Sequence, residues 1–183
     1  MFSRHINGFL VIGMTILFLS CKQESKKSGS FNKIIAENSL QDTLFRRLTN
    51  LTSDGNDIES MKEDSLFFLI LPVEAACPSC RKKTIDSIVK YKDQIDDQHF
   101  IIITGSGRRI IESFFNEQGC ELPIGAHNIF IDSTHQAFIN DLSFTRPEIY
   151  YAHRRRVFEK ISCVPTNIKG ELAKFFRLKV DGD

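Results

Sequence analysis

Leu66-Phe67-Phe68-Leu69-Ile70-Leu71 runs into Pro72 and, after a short loop, into Cys77-Pro78-Ser79-Cys80. The six apolar residues lack alternation and are too few for a core helix, so they read as a strand buried on both faces. Pro72 ends it. Beyond the cysteines, Thr84 to Ile95 places Ile85, Ile88, Val89 and Ile95 near one side of a helix that begins at or just after Cys77. A Cys-x-x-Cys pair between a strand and a helix carries chemistry. Free N–H groups and the positive helix end stabilise a thiolate there, which casts Cys77 as a nucleophile. Cys80, one turn on, is spaced to attack a mixed disulfide on Cys77 and release the partner. Pro78 fits the first helical turn, where its missing N–H is no loss. In parallel sheets, sites gather at the carboxyl ends of strands, where this motif falls.

Working outward, Phe100 to Ile103 repeats the buried-strand signature. Arg108 to Gln118 then places Ile110, Ile111, Phe114 and Phe115 on the buried side of a helix, and Gly119 supplies its stop. Strand, helix, strand, helix opens a parallel α/β arrangement. Asn128 to Asp132 is a further short strand, and Glu148 to Ala152 with Arg156 to Ile161 form an antiparallel hairpin. A closing helix from Thr166 or Asn167 to Leu178 buries Ile168, Leu172, Phe175 and Phe176 despite Gly170. On the upstream side, Ile34, Ile35, Leu40, Leu44, Phe45, Leu48 and Leu51 recur at helical spacing, giving one or two amphipathic helices ahead of the main domain. Ser53-Asp54-Gly55-Asn56 breaks that pattern.

The amino-terminal end reads as a targeting segment. Arg4 and His5 precede an apolar, small and neutral run from Gly8 to Ser20, then Cys21. That run is about 13 residues, short of the roughly 20 a spanning helix needs. Leu17-Phe18-Leu19-Ser20-Cys21 resembles a bacterial lipobox, although Phe18 is bulkier than usual. The resemblance implies lipidation of Cys21 and cleavage before it; a secreted chain with an unmodified cysteine is the alternative. Cleavage removes Arg4 and no acid from 24 basic and 23 acidic residues, leaving 23 of each. No global field then draws the protein to nucleic acid, to an anionic membrane surface or to an acidic substrate. Lys22 to Ser30 is polar throughout and reads as a tether. Export to the envelope also allows disulfides that cytosolic thiols would reduce.

The order of elements around CPSC resembles the thioredoxin superfamily over residues from about 65 to 180. The resemblance implies a three-layer α/β fold: a central mixed sheet of parallel strands plus a carboxy-terminal antiparallel hairpin, flanked by helices and preceded by a helical extension. The organisation expected is a signal peptide (1–20), an anchored tether (21–30), a helical extension (31–62) and a thioredoxin-like domain (63–183). Thr145-Arg146-Pro147 stands where that family carries a cis-proline facing the dithiol. By resemblance, Pro147 packs beside Cys77 and Cys80, Arg146 offers backbone groups to an extended substrate segment, and Pro78 and Ser79 border the same groove. Two departures stand out. Ala76 replaces the tryptophan that usually precedes the first cysteine, and the buried acid of the first strand is missing. Glu74 is a candidate substitute proton carrier, with an ordinary loop acid as the alternative.

The function so implied is thiol:disulfide exchange at the cell envelope, with no cofactor or metal. Its partners would be a protein dithiol or disulfide substrate, a redox partner protein and the membrane through a lipid anchor, without nucleic acid. Two other readings stand beside it. In one, the fold is a redox-inert binding module; in the other, the Cys pair is half of a zinc site completed from Cys120, Cys163, His127 and His135. With Cys77 paired to Cys80, the remaining Cys120 and Cys163 are either a structural disulfide or two buried thiols. His153-Arg154-Arg155-Arg156 is the densest basic run and falls at the expected hairpin tip, where a solvated turn explains it. Gly105-Ser106-Gly107-Arg108-Arg109 lacks the spacing of a phosphate loop and reads as a strand-to-helix turn.

Overall fold

The computed structural model describes residues 31–52, 65–126 and 128–177. The expected signal peptide, the lipidation site Cys21 and the tether lie outside them, as do His127 and Leu178. Chain order is β1 (Asn32–Ile34), α1 (Asn38–Asn50), β2 (Ser65–Pro72), α2 (Pro78–Tyr91), β3 (His99–Thr104), α3 (Arg108–Glu117), β4 (Ile129–Asp132), α4 (Gln136–Ile139), β5 (Glu148–His153), β6 (Arg156–Ser162) and α5 (Ile168–Phe175). The strands form one sheet in the order β1-β6-β5-β2-β3-β4. β2, β3 and β4 run parallel, while β5 is antiparallel to β2 and β6, and β1 is antiparallel to β6.

The apolar run of β2 sits at the middle of this sheet, between β3 and β5, which is why it needs apolar residues on both faces. Leu69 and Leu71 face a layer of α2, α3 and α5, where Ile85, Ile88, Ile111, Phe115, Ile168 and Leu172 are buried. Phe68 and Ile70 face the other layer, against Leu44, Phe45 and Leu48 of α1 and Ala137 of α4. The crossovers from β2 to β3 and from β3 to β4 put α2 and α3 on the same side of the sheet. The short α4 then takes the chain to the opposite side before the β5–β6 hairpin returns beside β2. This is a thioredoxin-like fold, with α3 and β4 adding one strand at the sheet edge.

Several elements depart from the sequence expectations. The segment expected as helix alone begins with the edge strand β1, and α1 packs with α4 on one face of the central sheet. Val89 and Ile110 are exposed. In α2 the buried stripe runs through Cys80, Thr84, Ile85 and Ile88, so Val89 lies just outside it. In α3 the stripe is Ile111, Phe114 and Phe115, which turns Ile110 outward. Phe176 is only half-buried. The basic run is the hairpin turn: Arg154 and Arg155 have φ of 48° and 64°, the pair of left-handed residues that a two-residue turn matching the strand twist requires.

Candidate functional site

Cys77 is the N-cap of α2 and Pro78 its first residue, so the dithiol stands at the helix tip, just beyond the carboxyl end of β2. Cys77 and Cys80 are joined by a disulfide with their Cα atoms 5.3 Å apart. The two sulfurs are not equivalent. Cys77 is half-buried and flanked by exposed Ala76, Pro78 and Ser79, whereas Cys80 is fully buried. The Cys80 backbone N–H donates to Cys77 Sγ at 3.3 Å, and Ser79 Oγ lies 3.6 Å from the same sulfur. One helix N–H and a nearby hydroxyl therefore point at the Cys77 sulfur, an arrangement that favours a thiolate over a thiol.

The loop that carries Cys77 is held on three sides. Val73 N–H donates to Thr104 O at 3.0 Å, and Ala76 N–H donates to Thr145 O at 3.0 Å. The Arg81 guanidinium bonds Val73 O and packs over the Phe114 ring at 5.2 Å. Glu74 is engaged as well: both its oxygens accept from Ser106, the backbone N–H at 2.7 Å and Oγ at 2.8 Å. Those bonds, the side-chain one first, hold its carboxyl below the usual range. An acid kept ionised in this way straps two loops together and is a poor proton carrier at neutral pH.

A cavity of about 150 Å³ opens beside the dithiol, lined by Ala76, Cys77, Thr145, Arg146, Cys163, Val164 and Pro165. Arg146 and Cys77 thus line one cavity. Pro147 differs from expectation: no cis peptide bond occurs among the described residues, so the Arg146–Pro147 bond is trans, and the buried ring is not part of the cavity wall. Trans is the default state of an X–Pro bond. In it the loop's carbonyls are all satisfied, Thr145 O by Ala76 N–H, Arg146 O by Ser143 Oγ at 3.0 Å and Pro147 O by Cys163 N–H at 2.9 Å.

No family model and no curated protein matches the chain. Among solved structures it is similar to a Chlorobium tepidum protein assigned as the thiol:disulfide interchange protein DsbE. That likeness has 9% identity and a TM-score of 0.39, over 65% of this chain and 84% of that one. It is similar to the thioredoxin domain of a thiol-disulfide oxidoreductase from Bacteroides vulgatus, with 10% identity and a TM-score of 0.39, over 65% and 84% of the two chains. A third likeness is to BsSco, a member of the Sco family of cytochrome c oxidase assembly proteins. It has 15% identity and a TM-score of 0.35, covering 67% of this chain and 86% of BsSco.

Two residues near the dithiol differ from the sequence expectations, which gave Glu148 no role at the site and Cys163 only as a buried thiol, a disulfide partner or a zinc-site candidate. Glu148, directly after Pro147, is buried at the start of β5. Burial raises its carboxyl to about 7, against the opposing pull of Lys160, the Ser162 hydroxyl and Arg146. Ser162 Oγ donates to it at 2.7 Å, and Lys160 Nζ stands 3.9 Å away, too far to restore an ordinary value. Glu148 lies on a strand paired on both sides, which leaves that strand no solvent edge. The other is Cys163, a free and fully buried thiol that shares the cavity with Cys77. Cys120 is also free, half-buried, and packs on the helical side of the core. Among the described residues no three His, Cys, Asp or Glu side chains come together as metal ligands.

Proposed function

We propose that the protein is an envelope thiol:disulfide oxidoreductase that exchanges disulfides with protein substrates through Cys77 and Cys80. The observation that carries this reading is the asymmetry of the pair: a reachable sulfur at the helix tip, bonded to a sealed one a turn behind. In the reducing direction the Cys77 thiolate attacks a substrate disulfide, a new S–S bond forms, and one substrate thiolate leaves and takes up a proton. Cys80 then loses its proton and attacks the Cys77 sulfur. The internal disulfide forms, the second substrate thiol departs, and two electrons have passed to the substrate. The same steps run backwards for an oxidant, and the relative stability of dithiol and disulfide sets the direction. In this reading Arg146 and Thr145, which line the cavity with Cys77, and the exposed Pro78 and Ser79 meet the substrate chain, with Pro147 in the same loop.

The envelope location rests on the sequence features of residues 1–30, with Cys21 as the lipid-bearing residue and the polar stretch after it as a tether. No helix among the described residues is long and apolar enough to cross a membrane. The test is capture. The Cys80→Ser chain, expressed in its own cell envelope, should accumulate partner proteins linked through Cys77 and released by reductant. A Cys77→Ser/Cys80→Ser chain that keeps the full physiological role, with nothing trapped on Cys80→Ser, contradicts the proposal and leaves a redox-inert binding module.

A further inference from the structure

The exchange just described uses two cysteines, yet a third stands at the same cavity. Cys163 follows β6 directly, and its N–H bond to Pro147 O fixes it on the loop that faces the dithiol. It is unbonded, wholly buried, and lines the cavity together with Cys77. The cavity is therefore lined by two cysteines, one from the tip of α2 and one from the end of β6.

We propose that Cys163 is a second resolving thiol, which displaces a partner from Cys77 to give a Cys77–Cys163 disulfide when Cys80 does not act. This rests on Cys77 being the exchanging sulfur. The step is balanced: the Cys163 sulfur loses its proton and bonds to the Cys77 sulfur, the bond from Cys77 to the partner breaks, and the leaving partner thiolate takes the proton. No further oxidant is needed, because the partner's disulfide supplied the oxidation. Burial, followed by the carboxylates of Glu148 and Glu171, holds the Cys163 thiol protonated. That makes it a reserve to Cys80, which sits one turn from Cys77 on the same helix.

The test uses the full chain carrying Cys80→Ser, reduced and then exposed to glutathione disulfide as the probe. Cys77 takes up glutathione first. The expected result is that the adduct is then lost, the intact mass falling to two hydrogens below the reduced chain, and a non-reducing peptide map links Cys77 to Cys163. In a Cys80→Ser/Cys163→Ala chain the adduct should persist. If the adduct on Cys80→Ser persists equally, or the map links Cys77 to Cys120, the proposal is overturned while the exchange reading stands. If Cys77 takes up no glutathione, the exchange reading fails and this inference fails with it.

Discussion

Glu148 carries a carboxyl raised well above its ordinary value, and that shift has a measurable consequence. Its carboxyl titrates near 4.5 in an ordinary setting and about 7 in the fold. Below about pH 4.5 the group is protonated in both states, and the fold keeps the full benefit. Between there and about pH 7 the unfolded chain releases its proton first, so stability falls, and the loss is complete above the folded value. The span corresponds to roughly 3 kcal/mol as an upper figure, because water reaching the site reduces it. Denaturant unfolding of the native chain at pH 4.5 and pH 8 should reveal this decline, and Glu148→Gln should flatten it. An equal slope in the variant would assign the pH dependence to other groups. Why the sequence reading missed Glu148 is physical: periodicity identifies a strand, but the depth at which one of its polar residues sits depends on which strands pair with it. The placement of Cys77 and Cys80 was legible because it follows from local spacing at a helix start. The trans bond at Pro147 was not, because the loop's carbonyls find their donors on β6, on the β2–α2 loop and in Ser143.

At the scale of elements, the two short connections at the dithiol end are close-packed. A Cβ placed on Gly105 would come within 2.9 Å of Val73 Cγ2 and 3.0 Å of Ile111 Cγ1, pressing β3 and α3 against the loop that leads to Cys77. Gly105→Ala should therefore destabilise the fold by about 1–3 kcal/mol, the usual cost of overpacking. Gly170, inside α5 with open space around its Cα, provides the contrast. There Gly170→Ala should add roughly 0.5–1 kcal/mol, since alanine loses less backbone entropy in a helix. Thermal unfolding of the two variants side by side checks both, and a shift of the same sign in each would contradict the packing account. Helices α2, α3 and α5 and strands β2, β3, β5 and β6 were legible from apolar patterning. Strand β1 was not: three exposed residues carry no burial pattern, and its identity comes from pairing with β6. Helix α4 was hidden too, since it is four residues long and is organised from outside by Asp132. That buried carboxylate accepts from the backbone N–H groups of Gln136 and Ala137 and from Thr104 Oγ1.

Across the whole molecule, one sheet holds the dithiol at the carboxyl end of β2, with a hydrophobic core on each of its two covered faces. Leu48, fully buried on the α1 face, belongs to the layer opposite α2. Leu48→Ala should cost about 2–5 kcal/mol of stability and leave the reactivity of Cys77 in the folded chain unchanged. Denaturant titration and thiol alkylation on the same sample separate the two effects, and a parallel loss of both would show that the site depends on that layer. In the proposed exchange the fold makes Cys77 an activated thiolate and keeps Cys80 in reserve. The most direct measurement is the pH dependence of alkylation of the reduced chain, with each cysteine followed by mass spectrometry. The account predicts that Cys77 reacts first, with a midpoint below the value of about 8.5 typical of a free cysteine, and that Cys80 stays unmodified. Equal reaction of the two cysteines, or a Cys77 midpoint at or above the ordinary value, would contradict it.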